Sequence, residues 1–157
     1  AADAFAASCG PGLASLRVRA PFGPVTVASL HLHWPWPYSQ RRQIDRLMPL
    51  FRDAPGPLLM GGDFNAAPWS HAVARIAEVT RATPAPGLRF TFHGRVAALT
   101  PELSMPIDHV LADGQFRAVE IRVSGPVGSD HRAVIARFSL MGPVSSAAGL
   151  AAEPEAR

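Results

Sequence analysis

Lysine is absent from this sequence of 157 residues, in which all 15 cationic side chains are arginines. Its absence excludes a Schiff-base lysine, a phosphate-binding loop that needs lysine, and a lysine general base. The net charge is only +3. Because the arginines are spread along the chain, we interpret them as a solvated surface and not as a patch dedicated to nucleic acid.

Cysteine occurs once, at Cys9, which excludes an internal disulfide framework and a multi-cysteine zinc site. The apolar runs are far shorter than the roughly 18 residues that cross a membrane. Hydrophobic residues make up 48% of the chain and charged residues 17%, a composition typical of a folded domain. The length fits one soluble domain.

Alternating and β-branched runs predict strands. Residues 14–19 and 25–33 flank a turn at residues 21–24 and are expected to pair as an antiparallel hairpin. The continuous apolar run 57–60 predicts a central strand that ends at Gly61-Gly62. Further strands are predicted at residues 88–92, 107–111, 116–123 and 133–140.

Two helices are predicted between these strands. We expect Ser39 to cap the first helix and Pro49 to kink it or end it early. Its apolar face consists of Ile44, Leu47, Met48 and Phe51. The second helix is predicted to begin after the cap Ser70 and to turn inward Val73, Ile76 and Val79.

The ends of the chain are weakly patterned. We expect a frayed start over residues 1–12 and a disordered tail over residues 141–157, which is rich in small residues. The strands and helices between them predict an α/β (α+β) layered domain over residues 13–140, with helices covering a sheet.

Polar groups stand just beyond the ends of three predicted strands, where side chains are held rigidly yet reach solvent. In the preceding hairpin, His31 and His33 share one face because strand side chains alternate. The three polar segments are GDFN with Asp63 and Asn65, PIDH with Asp108, and GSDH with Asp130 and His131.

Each of these residues also has a structural explanation when taken alone: a turn, a strand-end cap, loop polarity or a core histidine. For four other histidines we keep the structural interpretation: His33, His71, His93 and His109. The three tryptophans are interpreted as packing residues, with a substrate-wall role considered only for Trp36: Trp34, Trp36 and Trp69.

In combination, the order His, Asp-x-Asn, Ile-Asp-His and Ser-Asp-His resembles the endonuclease/exonuclease/phosphatase superfamily from about Leu13 to Leu140. The variants HLHWPWP, GDFNAAPWS, MPIDHVL and GSDHRAV look most like a bacterial branch whose members can carry membrane helices ahead of this domain. The resemblance implies a two-sheet sandwich covered by helices, of which this chain is a part. It also implies a soluble domain that a bacterial membrane anchor can tether in the parent protein.

The resemblance implies metal-dependent hydrolysis of a phosphoester, usually with Mg²⁺ or Mn²⁺. The resemblance further implies that Asp63 orients or activates the attacking water and that Asn65 donates to a non-bridging phosphate oxygen. His131 contacts the phosphate as an acid/base group held by Asp108, and His31 matches a second catalytic histidine. The implied metal ligands are Asp130, Asp63 and Asn65. The substrate is left open among nucleic acid, a phosphorylated small molecule and a lipid headgroup.

The sequence departs from the family in its N-terminal half. Members use an asparagine in the first strand and a metal-binding glutamate a few strands later. Here Asn65 is the only asparagine, and no glutamate precedes Glu78. We therefore expect the C-terminal portion of a hydrolase, with a loosely held cation, little activity on its own and an exposed sheet face that invites self-association.

Two other functions are weighed against the hydrolase fragment. One is a non-catalytic remnant that acts as a binding or interaction module. The other is a zinc hydrolase that uses His31 and His33, which the lack of a nearby glutamate ligand disfavours.

Overall fold

The computed structural model describes residues 5–37, 39–94 and 102–141, with side chains from residue 11 onward. Within these ranges the chain forms strands and two helices. In chain order they are β1 (Phe5–Gly10), β2 (Leu13–Ala20), β3 (Gly23–His31), α1 (Gln40–Arg52), β4 (Leu58–Asp63), α2 (His71–Thr80), β5 (Ala82–Pro84), β6 (Phe92–Gly94), β7 (Leu103–Met105), β8 (Asp108–Asp113), β9 (Phe116–Val123) and β10 (Val134–Leu140).

The main sheet has six strands in the order β1-β2-β3-β4-β8-β5. The predicted hairpin is present as β2 and β3, which pair antiparallel from Leu13↔Leu30 to Ala20↔Gly23. The chain then crosses through α1, so that β4 lies parallel to β3. Strand β8 pairs antiparallel with the other side of β4, which makes β4 a central strand as predicted.

Both helices pack on one face of this sheet. The core joins apolar residues of β3, β4 and β8 to the apolar stripes of α1 and α2. Its fully buried members include Leu30, Met60 and Leu111 from the sheet and Leu47 and Ile76 from the helices. Each such side chain contributes roughly 1.5–3 kcal/mol of transfer free energy.

The predicted apolar faces of both helices and the cap of α2 are confirmed, whereas the predicted cap and early end of α1 are wrong. The hydroxyl of Ser70 accepts from the Val73 N–H at 3.2 Å, as a cap should. Ser39 instead lies in the left-handed region, and its side chain makes no capping hydrogen bond. Pro49 does not end α1, which runs on to Arg52. Pro49 removes only one backbone donor near the end of a helix whose Met48 and Phe51 are buried in the core.

Several strand boundaries also differ from the predictions. The start of the chain is not frayed throughout, because Phe5–Gly10 pairs with β2. Gly61-Gly62 does not end β4, which continues to Asp63. Residues 88–91 are not a strand; only Phe92–Gly94 pairs, with β7. The predicted tail, apart from Met141, lies outside the described residues.

Two smaller sheets accompany the main one: β9 with β10, and β6 with β7. Sheets dominate the fold and the helices are few, as in the α/β (α+β) layered sandwich that the sequence predicts. In the described part of the chain, neither helix is long and apolar enough to span a membrane.

Candidate active site

Three polar side chains form a row across β3, β4 and β8. The strand register places His31 beside Asp63, and Asp63 beside Asp108. Paired residues of neighbouring strands point to the same side of a sheet, and successive residues point to opposite sides. Because the preceding strand residue Leu30 is buried in the helical core, the row lies on the face opposite the helices.

His131 joins this row from the segment before β10. Its Nδ1 lies 2.9 Å from Oδ2 of Asp108, so the predicted hydrogen bond between these two residues is present. The ring also contacts Phe92 edge-on at 5.2 Å between centroids. The backbone holds this segment in place, since Arg132 N–H donates to Thr91 at 2.8 Å and His93 N–H donates to Asp130 at 2.7 Å.

The two carboxylate oxygens of Asp63 have separate partners. Oδ1 accepts from the Asn65 backbone N–H at 2.8 Å, while Oδ2 lies 3.6 Å from Nε2 of His31. The tight Asp-x-Asn turn requires a left-handed Asn65 with φ 44°, a conformation that asparagine tolerates well. The Asn65 side chain is buried and donates to the Leu32 carbonyl at 2.7 Å.

Burial and neighbouring charges change the proton affinity of two groups in the row. Burial raises the pKa of Asp63; the Asn65 N–H opposes this, and the negative charge of Asp108 adds to it. Burial alone would lower the pKa of His131, but the hydrogen bond and charge of Asp108, with Asp63 and Asp130, outweigh it and raise the pKa. The site therefore combines a carboxylate of increased basicity with a histidine that favours its cationic form.

These side chains line one open cavity of about 450 Å³, which we call the polar cavity. Five of the six predicted site residues line it, and Asp108 contacts it through His131: His31, Asp63, Asn65, Asp130 and His131. The side chain of His31 is 74% exposed and that of Asp63 is 18% exposed. The structure thus brings the predicted residues together, whereas their catalytic and metal-binding roles stay predictions.

Sequence reasoning missed two buried glutamines that hold the site loops. The Gln40 amide nitrogen donates to the carbonyl oxygens of His33, Phe64 and Asn65 at 2.8–3.1 Å. The Gln43 amide donates to the carbonyls of Pro11 and His31, and its oxygen accepts from His33 N–H. A signal existed, because both residues fall on the apolar stripe of α1 at helical spacing from Ile44 and Leu47.

The remaining histidines and tryptophans differ in their surroundings. His109 is buried, and its ring Nε2 pairs with the Ala66 carbonyl at 2.7 Å. Burial lowers its pKa, as expected of a structural histidine. The packing interpretation is wrong for Trp36 and Trp69, which are 85% and 75% exposed.

A family comparison agrees with this geometry. Residues 8–131 match the Endonuclease/Exonuclease/phosphatase family, which is most of the chain. The chain belongs to this family. Members are hydrolases that act on phosphoesters, so the family defines the general class of chemistry.

The similarity to a curated protein covers a smaller part of the chain than the match to the family. A UPF0294 protein of Vibrio cholerae serotype O1 is 32% identical over 105 residues, which cover 64% of this chain and 34% of that protein. The chain therefore spans about a third of the length of this curated relative.

Solved structures share the fold. One is D. rerio TDP2 complexed with a single-strand DNA product, with a TM-score of 0.62, 14% identity, and coverage of 81% of this chain and 61% of that one. Another is an endonuclease/exonuclease/phosphatase from Beutenbergia cavernae, with a TM-score of 0.59, 24% identity and coverage of 82% and 39%. A third is a mannosyl-6-phosphatase from Bacteroides thetaiotaomicron, with a TM-score of 0.57, 15% identity and coverage of 82% and 57%.

The family generally depends on a divalent metal, and hard divalent cations bind to oxygen ligands such as carboxylates. Among the described residues, no three histidine, cysteine, aspartate or glutamate side chains are arranged to hold an ion together. Asp108 is engaged by His131, and one oxygen of Asp63 by the Asn65 N–H. These residues do not by themselves form a complete site for a hard cation, which takes six or more oxygen ligands, part of them water.

Proposed function

We propose that this chain carries the phosphate-binding and proton-transfer part of a metal-dependent phosphoester hydrolase site. The observation that supports it is the row formed by His31, Asp63 and Asp108, which His131 completes. Phosphoryl transfer depends on positioning and on neutralising charge rather than on covalent chemistry by the protein. A basic carboxylate and two histidines in one cavity can position the reacting groups and neutralise the charge of the phosphate.

Each residue has a role that its contacts support. Asp63, with its raised pKa, accepts a proton from the attacking water or orients it. His131, held by Asp108, presents a cationic N–H to a phosphate oxygen. His31, close to Asp63 and well exposed, serves as the second acid/base histidine. The Asn65 amide, which lines the polar cavity, donates to a non-bridging oxygen.

The metal is proposed to be Mg²⁺ or Mn²⁺, with Asp130, Asp63 and Asn65 as ligands on this chain. Because these residues do not complete a site, we propose that a further carboxylate ligand lies in an N-terminal half of the fold, outside this sequence. The coverage of only 34% of the curated relative supports this arrangement. The chain is then a truncated form of the hydrolase.

The proposed substrates are phosphoesters in nucleic acids, phosphorylated small molecules or lipid headgroups. Solved relatives by fold include a complex with a DNA product and a mannosyl-6-phosphatase, which supports a phosphate-centred site.

For the parent protein we propose a bacterial membrane tether, as in the branch that the sequence resembles. The sheet face opposite the helices carries the partly exposed pair Leu16 and Val27, which supports contact with the missing half or with a second copy.

The proposal is tested by hydrolysis of bis(p-nitrophenyl) phosphate with Mg²⁺ or Mn²⁺. The 157-residue chain is compared with a longer chain that carries its natural upstream residues. We expect metal-dependent turnover by the longer chain and a rate lower by about a thousandfold or more for the shorter one, because a missing carboxylate costs several kcal/mol of charge stabilisation. Equal turnover by both would refute the truncation. No turnover by either would favour a non-catalytic binding module.

A further inference from the structure

A second and larger cavity adjoins the polar cavity. It has a volume of about 570 Å³, within the usual range of about 300–1,000 Å³ for small-molecule sites. The two cavities share Trp34 and Asn65 on their walls. We call it the aromatic cavity. The two cavities are therefore neighbours that meet at these two side chains.

The lining of the aromatic cavity is mostly apolar. Its buried side is formed by Ile44 and Ile107, which are 3% and 4% exposed, together with Met105. Trp34 and Trp69 add two indole rings. Trp69 is 75% exposed, and a large aromatic side chain with so much free surface at a concave site is available to a ligand.

The cationic groups of this cavity lie with α1 and α2. Arg41 and Arg75 both line it. Arg75 is neutralised by Asp45, with Nη1 2.5 Å from Oδ1. Because most of the wall is apolar and one of the two cations is paired, the cavity is better suited to an uncharged, flat group than to a second phosphate.

We propose that the aromatic cavity binds an aromatic substituent of the phosphoester whose phosphate occupies the polar cavity. This inference rests on the proposed function, and Asn65 and Trp34, which line both cavities, are expected to contact the ligand between its phosphate and its ring. Indole faces favour flat partners, and stacking of one ring system on an aromatic side chain contributes about 1–3 kcal/mol. The substrate class is thus a phosphoester that bears a ring system such as a nucleobase or an aryl group.

The test measures binding of three probes to the 157-residue chain by NMR titration: methyl phosphate, octyl phosphate and 1-naphthyl phosphate. We expect 1-naphthyl phosphate to bind about tenfold more tightly than either of the others, which corresponds to about 1.4 kcal/mol. It should shift the indole N–H signals of Trp34 and Trp69 and leave that of Trp36 in place. Equal affinity for the octyl and naphthyl esters would overturn the choice of an aromatic group.

Two tryptophan variants form a matched pair. Trp69→Ala removes a wall of the aromatic cavity, whereas Trp36→Ala removes another highly exposed indole that does not line it. Both changes affect exposed side chains, so both variants should fold. Trp69→Ala should weaken 1-naphthyl phosphate about tenfold and leave methyl phosphate within about twofold, and Trp36→Ala should change neither. An equal effect of both substitutions would overturn the inference.

His131→Ala separates this inference from the proposed function. Weaker binding of all phosphate esters by this variant supports the phosphate end of the site. If the affinity for 1-naphthyl phosphate falls in Trp69→Ala but is unchanged in His131→Ala, the aromatic cavity binds the ring and the proposed phosphate site is wrong. If no phosphate ester binds, both are wrong.

Discussion

The hydrogen bond between His131 and Asp108 links protonation to the stability of the site. The folded pKa of His131 is raised, because Asp108, Asp63 and Asp130 together outweigh its burial. The stabilising contribution of the charged histidine is therefore complete below its unfolded pKa of about 6.5. It is lost as the pH rises through the higher folded pKa.

Replacing Asp108 should remove most of this effect. We expect Asp108→Asn to lower the pKa of His131, because the amide keeps the shape but not the charge that favours imidazolium. The titration of the His131 ring proton, followed by NMR, measures the change directly. Asp53→Asn, an exposed change at the end of α1, is the matched control and should leave the midpoint in place. An unchanged midpoint in Asp108→Asn would refute the assigned pair.

At the same scale, the polar site residues were predictable because each follows or begins an apolar run. The strand ends can be located from alternation and turn residues. In the structure these ends lie together, with Asp63 beside Asp108 and Asp108 bonded to His131. Gln40 was not predicted, because a glutamine in a helix is normally read as solvent-facing. Its burial follows from loop carbonyls that only the tertiary structure brings to it.

Among the elements, β4 shows that a glycine pair can lie within a strand and does not have to end it. The pair Gly61-Gly62 predicts the end of the strand, yet the strand continues to Asp63. Gly62 has φ 151°, and a Cβ there would overlap the Leu30 carbonyl of the neighbouring strand. The glycine therefore lets β4 and β3 approach closely, and this contact helps to place His31 beside Asp63.

Two alanine substitutions test this explanation. Gly62→Ala should lower the free energy of unfolding by about 2 kcal/mol or more, through overlap with Leu30 and an unfavourable φ. Gly61→Ala should cost less than about 1 kcal/mol, because the nearest atoms to its Cβ lie at an ordinary 3.7 Å. Urea unfolding of the two variants gives both values, and an equal loss would contradict the role given to Gly62.

The segment before β6 shows a different limit of pattern reading. Residues 88–92 have the composition of a strand, but Arg89 donates to the carbonyls of Ala85 and Pro86 at 2.8 and 2.6 Å. These side-chain bonds hold a loop, so the ladder begins only at Phe92. Composition predicts the strand propensity of a segment but not the local side-chain bonds that compete with pairing.

At the scale of the whole molecule, the sheet carries helices on one face and the candidate site on the other. The layered fold class was predictable from the succession of strands and helices, and it is confirmed. The order of the strands was not, because the position of β8 between β4 and β5 is a long-range pairing with no local signal. That pairing is what brings Asp108 next to Asp63.

The central claim, that this site supports phosphoester hydrolysis, is tested most directly by replacing Asp63. In the proposed longer chain, Asp63→Asn keeps the shape of the side chain and removes its basicity. We predict that turnover of bis(p-nitrophenyl) phosphate falls about 10³-fold, within the range known for general bases. Asp53→Asn, at the exposed end of α1, should keep turnover within about twofold. Full activity in Asp63→Asn would contradict the account.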